Sequence, residues 1–379
     1  MNQNHIHIVS FNIPYPADYG GVIDVYYKLK ALHTIDLKIH LHCFEYGRKK
    51  SNELNSVCET VHYYKRKTNF LNAFSLWPYI VKSRISEDLT KNLLLDDYPI
   101  LLEGIHTTAL VFDNRFKNRF IVFRPANIEH EYYFNLAKTE KKLFRKFFHY
   151  IEAKKLLKYE RKLKNIDLIL AISEADKLYF QKQFSNVRVE YIPAFHAGVS
   201  LRNINGNGAY AFYHGNLDVA ENDKAALFLI ENVFSKIDYP LIISGNKPSN
   251  KLSNSCKKLK HVQLIENPDN ESLIRLIQNA HIHVLPTFQS SGFKLKLIHA
   301  LFYGRHIITN ENMIVGTDFR SICHIADDSE SWIKQIEALA EIDFSDEELA
   351  NRKAVIIPKY TNKANAEKIN ELIFLNKII

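Results

Sequence analysis

Cysteine is scarce in this chain. Four residues in 379, Cys43, Cys58, Cys256 and Cys323, lie far apart with no Cys-x-x-Cys pair. That usage argues against a cysteine-built metal site or a disulfide scaffold. It reads as reduced, buried thiols of a cytoplasmic protein. Glycine and proline are also few, 12 and 11, so no long flexible linker is expected. No run of about 18 apolar residues occurs, which removes a spanning helix. The first residues have no basic start leading into an apolar core, so no signal peptide is expected. Acidic charge is outnumbered, 42 Asp and Glu against 50 Lys and Arg, for a net charge of +8. A basic balance suits an anionic partner such as a nucleotide, an acidic lipid or a nucleic acid, without choosing among them.

What the chain does have is 46% hydrophobic residues, rich in Phe and Tyr, and a length beyond the usual size of one core. Two domains are the default. Residues 5–11 predict a first strand, 12–21 a loop and 22–32 an amphipathic helix. Gly20 and Gly21 at that helix start either let backbone approach a ligand or simply turn the chain. Further strands are predicted at 37–44, 60–64, 100–103, 120–124 and 167–173. Helices are predicted at 69–84, 86–95 and 138–164, with Ser173 capping another from Glu174. Strands alternating with helices imply a parallel sheet covered on both faces.

In such sheets ligands bind beyond the carboxyl ends of the strands. The loops there carry Tyr15, His106, Arg124, Asn127, Glu129 and His130. His106 can bind a ligand, act as a base, or merely pack. Arg124 can meet an anionic ligand or pair with Glu129 or Glu131. Asn127 can hydrogen-bond a ligand or close the turn, and Tyr15, Glu129 and His130 are further candidates. Residues 138–164 mix Phe and Leu with many lysines. They suit either docking on anionic lipid heads or a core-facing helix with a solvated basic face.

Residues 194–208 hold the densest Gly and Asn and predict the linker between domains 1–193 and 209–360. The pattern then restarts, with strands at 210–214, 241–244, 262–265, 282–285, 306–309 and 322–325 and helices at 222–234 and 272–280. Residues 345–379 read as mainly helical, with 361–379 crossing back to the first domain. Loop candidates at the strand ends are Gly215-Asn216, Lys247 and Glu266-Asn267. The richest stretch is 285–304, where Ser290-Ser291-Gly292-Phe293 leads into a helix with Lys294 and Lys296 at its start and His299 further along. Lysines at a helix N-terminus oppose the macrodipole, so they are easier to explain beside a bound diphosphate.

The block from Ser291 to Ile308 resembles the donor-binding motif of GT-B glycosyltransferases of the retaining, family-four type. Tyr15-Pro16 with Gly20-Gly21, Ala171-Ile172-Ser173-Glu174-Ala175-Asp176 and Phe212-Tyr213-His214-Gly215-Asn216 extend the likeness along the chain in order. The resemblance implies two doubly wound Rossmann-like domains facing a cleft. The second would hold a nucleotide-sugar donor, the first a glycan or lipid-linked glycan acceptor. Ser291, Gly292, Phe293, Lys294 and Lys296 match the diphosphate site, Gly20 and Gly21 the loop facing donor phosphates and the acceptor, and Gly215-Asn216 the loop where many members place an Arg that this chain lacks, while Lys247 sits near a second basic position. Glu266 and Asn267 are nucleobase candidates. Two departures stand out: Ser291 and His299 occupy the places of a usual Glu pair, and Ala126 that of a usual His. The expectation is sugar transfer, with retention, to a growing glycan or glycolipid, with His106, Arg124 and Asn127 as catalytic candidates, Tyr15, Glu129 and His130 as acceptor-side candidates, and no metal or other cofactor. The protein would be cytoplasmic, meet the membrane's inner face through 138–164, and bind no nucleic acid. The alternatives are a weakened sugar-nucleotide-binding subunit or a sugar-nucleotide epimerase of the same fold.

Overall fold

The computed structural model describes residues 3–69, 72, 74–140, 142–198, 201–202, 204–288 and 294–375. It divides into two compact units, Met1–His196 with Asn362–Ile379, and Ala197–Thr361.

The first unit runs β1 (His5–Ser10), α1 (Gly20–His33), β2 (Lys38–Glu45), β3 (Thr60–Lys65), α2 (Tyr79–Lys82), α3 (Glu87–Leu93), β4 (Ile100–Glu103), β5 (Ile121–Arg124), α4 (Glu129–Thr139), α5 (Leu143–Glu160), β6 (Leu168–Ala171), α6 (Glu174–Gln183) and β7 (Arg188–Tyr191). All seven strands are parallel, in the order β3-β2-β1-β4-β5-β6-β7. The central strands are short apolar runs buried on both faces, as a parallel sheet covered by helices requires. Ser86 and Ser173 cap α3 and α6, each accepting from the backbone N–H three residues on.

Two helix predictions need correction. Among the described residues of the helix expected over 69–84, the α-helix is confined to α2, with Pro78 at its N-cap. Proline lacks an N–H and disfavours helical backbone in the residue before it. The helix expected over 138–164 begins only at Leu143, and a separate helix, α4, precedes it. Strand β7 was not foreseen, because Arg188-Val189-Glu190-Tyr191 carries only one fully buried side chain.

The second unit runs β8 (Ala211–His214), α7 (Ala220–Phe228), β9 (Leu241–Gly245), α8 (Asn250–Cys256), β10 (Val262–Glu266), α9 (Asn270–Asn279), β11 (Ile282–Leu285), α10 (Leu295–Tyr303), β12 (His306–Thr309), α11 (Glu311–Ile314), β13 (His324–Ile325), α12 (Ser329–Ala340) and α13 (Asp346–Tyr360). Its six parallel strands are ordered β10-β9-β8-β11-β12-β13. Helix α8, absent from the sequence reading, is polar along most of its length and is anchored by Ser249, which accepts from Leu252 N–H. The last helix, α14 (Asn362–Asn370), returns to the first unit and packs on α1. Asn362 fastens this return, accepting from the His196 N–H at 3.1 Å and donating to its carbonyl at 2.6 Å.

A buried set of charges lies behind β4 and β5. Arg124 is 1% exposed. Its Nε and Nη2 donate to the two Asp24 oxygens at 3.0 Å each, and its Nη1 and Nη2 donate to the carbonyls of Ile192 and Pro193. Asp24 also accepts from the Phe195 N–H at 2.7 Å. Lys28, fully buried, lies 2.9 Å from Asp24 and 2.7 Å from Glu103. Burial alone would raise the Asp24 carboxyl. The Arg124 guanidinium and the Lys28 ammonium overcome it and hold Asp24 well below the usual carboxylate range. Asp24→Asn leaves two cations with one buried partner, so it is expected to cost about 3–5 kcal/mol in urea unfolding. A loss under about 1 kcal/mol would mean that water screens the set.

Candidate functional site

In the second unit, the carboxyl ends of β8, β9 and β11 bring several sequence candidates together. Lys294 is the N-cap of α10 and Lys296 lies in its first turn. Lys296 Nζ donates to Asn222 Oδ1 at 2.9 Å and to the Tyr213 hydroxyl at 3.2 Å. Asn222 sits in the first turn of α7, and its Nδ2 donates to the Asn216 carbonyl at 2.9 Å. A side chain on Gly215 would press on this amide, 3.3 Å away, so the Gly215-Asn216 turn and Lys296 share one partner. Gly245, at the end of β9, has no room for a side chain, because a Cβ would lie 2.0 Å from the Gly215 carbonyl oxygen. Lys247 reaches Asp218 at 3.3 Å, and the Asp218 N–H in turn donates to Asn216.

Burial lowers the Lys296 ammonium to about 8, against the opposing field of Glu221. Lys294 is lowered for the same first reason. Glu221, in the first turn of α7, accepts a hydrogen bond from the Thr287 hydroxyl. Thr287 is itself clamped by Asn310, which accepts from its N–H at 3.1 Å and donates to its carbonyl at 2.7 Å. Two ammonium groups at a helix start, partly desolvated and facing one carboxylate, can neutralise a dianionic group. His299 stacks on the buried His214, ring centroids 6.1 Å apart. Desolvation lowers His299 to about 4, so it is a neutral imidazole near pH 7. Glu266 and Asn267 end the edge strand β10, which two strands separate from β11. Asn267 donates its N–H to the Gly245 carbonyl at 3.1 Å. Ser291, Gly292 and Phe293 lie outside the described residues.

In the first unit, His106 follows β4. Its neighbour Gly104 has φ +69°, and a Cβ there would lie 2.9 Å from the imidazole Nδ1. That Nδ1 is buried without a hydrogen-bond partner. Burial first, then the charges of Arg84 and Arg66, hold the imidazole well below its usual range, so it is neutral. Glu129 opens α4 and is 4% exposed. Burial raises its carboxyl to about 7, against a hydrogen bond from Asn127 and the charge of Arg84. Arg84 donates to the carbonyls of Phe11 and Ile80, and burial lowers it to about 9. Gly20 and Gly21 begin α1, and a Cβ on Gly21 would strike the Phe11 ring at 2.9 Å. The group thus offers a neutral imidazole after β4, a carboxyl poised near neutrality after β5, and the guanidinium groups of Arg66 after β3 and Arg84.

Three candidates belong elsewhere. Arg124 is spent on Asp24 and backbone carbonyls, so it cannot grip an acceptor. Its carboxylate partner is Asp24 on α1, not Glu129 or Glu131. His130 turns into the α4–α6 packing, with Nδ1 3.7 Å from Glu160 and its ring 5.9 Å from that of Tyr179. Tyr15 packs on the core, its ring 5.3 Å from that of Tyr26. Asn127 is engaged by Glu129, which gives it a positioning part. The residues the sequence did not single out are Arg66, Arg84, Tyr213, Glu221, Asn222 and Thr287. Glu221 and Asn222 carried only the ordinary signal of polar residues at a helix start.

Residues 208–341 match the family model described as Glycosyl transferases group 1. A curated relative, an uncharacterized 44.6 kDa protein in the cps region of Klebsiella pneumoniae, is 26% identical over 324 residues, covering 78% of this chain and 79% of its own. Among solved structures, sucrose-phosphate synthase from Thermosynechococcus elongatus superposes with a TM-score of 0.65 at 14% identity, covering 98% of both chains. An Anabaena protein crystallised with UDP and glucose gives 0.62 at 10% identity, covering 98% of this chain and 99% of its own.

Pyrophosphate is expected to bind the second unit more weakly as pH rises through about 8, where Lys296 sheds its proton. In calorimetric titrations, Lys296→Ala should bind at least tenfold more weakly, about 1.4 kcal/mol, and lose that pH dependence. Equal affinities on both sides of this pH in the parent protein would remove Lys296 from the site.

Proposed function

We propose that the chain, whose residues 208–341 match the Glycosyl transferases group 1 model, is a GT-B glycosyltransferase of the family-four type that moves a sugar from a nucleoside-diphosphate sugar to an acceptor hydroxyl. The donor belongs to the second unit and the acceptor to the first. The observation that carries this reading is the Lys294–Lys296 pair at the start of α10. As the glycosidic bond to phosphate breaks, negative charge grows on the leaving diphosphate, and fixed cations there stabilise that charge more than they stabilise the ground state. The α10 N-terminus adds its dipole in the same direction. His106, a neutral imidazole, has one ring nitrogen able to accept a hydrogen bond from an acceptor or donor hydroxyl. Asn127 and Glu129 orient that side of the site. The family type makes retention at the anomeric carbon the proposed outcome. The cps-region relative suits polysaccharide assembly.

The acceptor is a glycan carried on lipid at an anionic membrane surface. Leu143, Phe144 and Phe147 at the start of α5 are 83%, 75% and 64% exposed, too much apolar surface for a helix that faces the core throughout. A groove of about 640 Å3 lies beside them, lined by Phe134, Leu143, Phe147, Tyr150, Lys138 and Lys146. Aromatic side chains flanked by lysines suit insertion among anionic headgroups. No helix among the described residues is long and apolar enough to cross a membrane.

A second reading, a sugar-nucleotide-binding subunit without turnover, is favoured by the His214–His299 stack, which fills a place where the family type commonly has a carboxylate. Assay with UDP-, GDP- and ADP-sugars and a lipid-linked acceptor separates the two. Release of nucleoside diphosphate with one donor is expected, with kcat/KM at least tenfold lower in Lys296→Ala, about 1.4 kcal/mol. Tight nucleotide binding with no turnover on any donor would favour the second reading. In sedimentation, binding to anionic vesicles is expected, and Phe144→Ser with Phe147→Ser should remove most of it. No vesicle binding at low salt would discard the membrane surface.

A further inference from the structure

At the far end of the second sheet, away from the strand ends that hold the lysines, three ligand-type side chains converge. His306 begins β12, His324 begins β13 and Glu348 lies in the first turn of α13. One ligand atom from each lies within 4.8 Å of the others. They line a cavity of about 190 Å3 that Phe344, Asn351 and Arg352 also border. We propose that His306, His324 and Glu348 form a binding site for a divalent transition-metal ion, with zinc the ion that best suits two imidazoles and a carboxylate.

The orientation of the ligands carries the argument. His306 Nε2 lies 2.9 Å from the Ile342 carbonyl. A carbonyl only accepts, so Nε2 carries the proton, and the neutral ring presents a lone pair at Nδ1. That Nδ1 is buried and makes no hydrogen bond, although Glu348 Oε1 is 3.3 Å away. A lone pair facing a carboxylate repels it unless a cation sits between them. The separation also fits, because two ligands bound tetrahedrally at about 2.0–2.1 Å lie about 3.3 Å apart. Glu348 is held in place from behind. Its Oε2 accepts from the Ser345 N–H at 2.9 Å and from the Ser345 hydroxyl at 3.0 Å, which leaves Oε1 for the ion. An imidazole whose second nitrogen is fixed on a backbone carbonyl, and a carboxylate whose second oxygen is fixed on a cap, are supports that metal ligands commonly have.

The neighbouring groups limit the set to three. His281, whose ring is 5.1 Å from that of His306, is fully engaged, with Nδ1 accepting from the Gly208 N–H and Nε2 donating to the Leu339 carbonyl. Arg352 brings an opposing positive charge, but its guanidinium is drawn to the carbonyls of Gly304 and Arg305. Three protein ligands leave a fourth position to water. The site would fasten β13, an edge strand of two residues, to β12 and α13. It lies apart from the lysines, so the expectation of metal-free diphosphate binding does not depend on it.

The competing account is a protonated His306 paired with Glu348, which needs no metal. The test uses the full chain without a histidine tag, stripped with a chelator and titrated with Zn2+ and, for its visible absorption, Co2+. One equivalent per chain, a Co2+ spectrum of low-coordinate type and a higher melting midpoint with Zn2+ are expected. His324→Ala should weaken Zn2+ binding by more than the roughly 10–100-fold that loss of a supporting partner costs. Glu348→Gln should do the same while keeping the cap on Ser345. Pyrophosphate binding should be unchanged in both. No saturable Zn2+ binding in the parent protein, or binding in both variants as tight as in the parent, would overturn the site.

Discussion

The first unit rests on one arrangement of buried charge. Asp24 on α1 meets Arg124 at the end of β5 and Lys28 one turn along its own helix, while Glu103 closes the set from the end of β4. Each member alone would be forbidden in this interior, and each is tolerated because the others are there. The set ties the first helix to the two central strands. Through the Phe195 N–H and the carbonyls of Ile192 and Pro193, it also ties them to the segment that leaves the sheet. Glu103 and Arg124 end the strands from which the loops carrying His106, Asn127 and Glu129 leave, so the set anchors the start of those loops.

The second constraint is the polarity of a parallel sheet. Every strand ends on the same side, so short polar loops from strands far apart in sequence gather at one edge. In the second unit this brings Gly215, Asn222, Lys296 and Glu221 within reach of one another across some eighty residues of chain. In the first it gathers Arg84, His106 and Glu129. The opposite edge of the second sheet ordinarily serves stability, and there the histidine–glutamate cluster pins a two-residue strand that a parallel sheet holds poorly by backbone bonds alone.

Much of this was legible in the chain. Apolar runs of four to six residues between amphipathic stretches declare a parallel α/β sheet. Ser173, three residues ahead of the Asp176 N–H it accepts from, declares a helix start. Lys294 and Lys296 were singled out because they stand where a helix dipole disfavours them. Arg124 was misread for a definite reason. Its loop position suggested a ligand role, and the nearest acids in sequence are Glu129 and Glu131, while its true partner lies a hundred residues away on α1. A clue was present in that helix, since Lys28 falls on the face formed by Val25, Leu29 and Leu32 and a buried lysine must have a partner.

The sequence by itself determined the class of fold, the two sheets and the lysine-bearing helix start after β11. Those follow from local periodicity and from turn and cap chemistry, which act within a few residues. Only the tertiary structure decided which polar groups are free to act. It bound Arg124 and turned His130 and Tyr15 into the packing. It left His106 neutral with a lone pair, raised Glu129 to about 7 and lowered Lys296 to about 8. Protonation and availability are set by burial and by partners brought from distant parts of the chain, and no local pattern of residues encodes either.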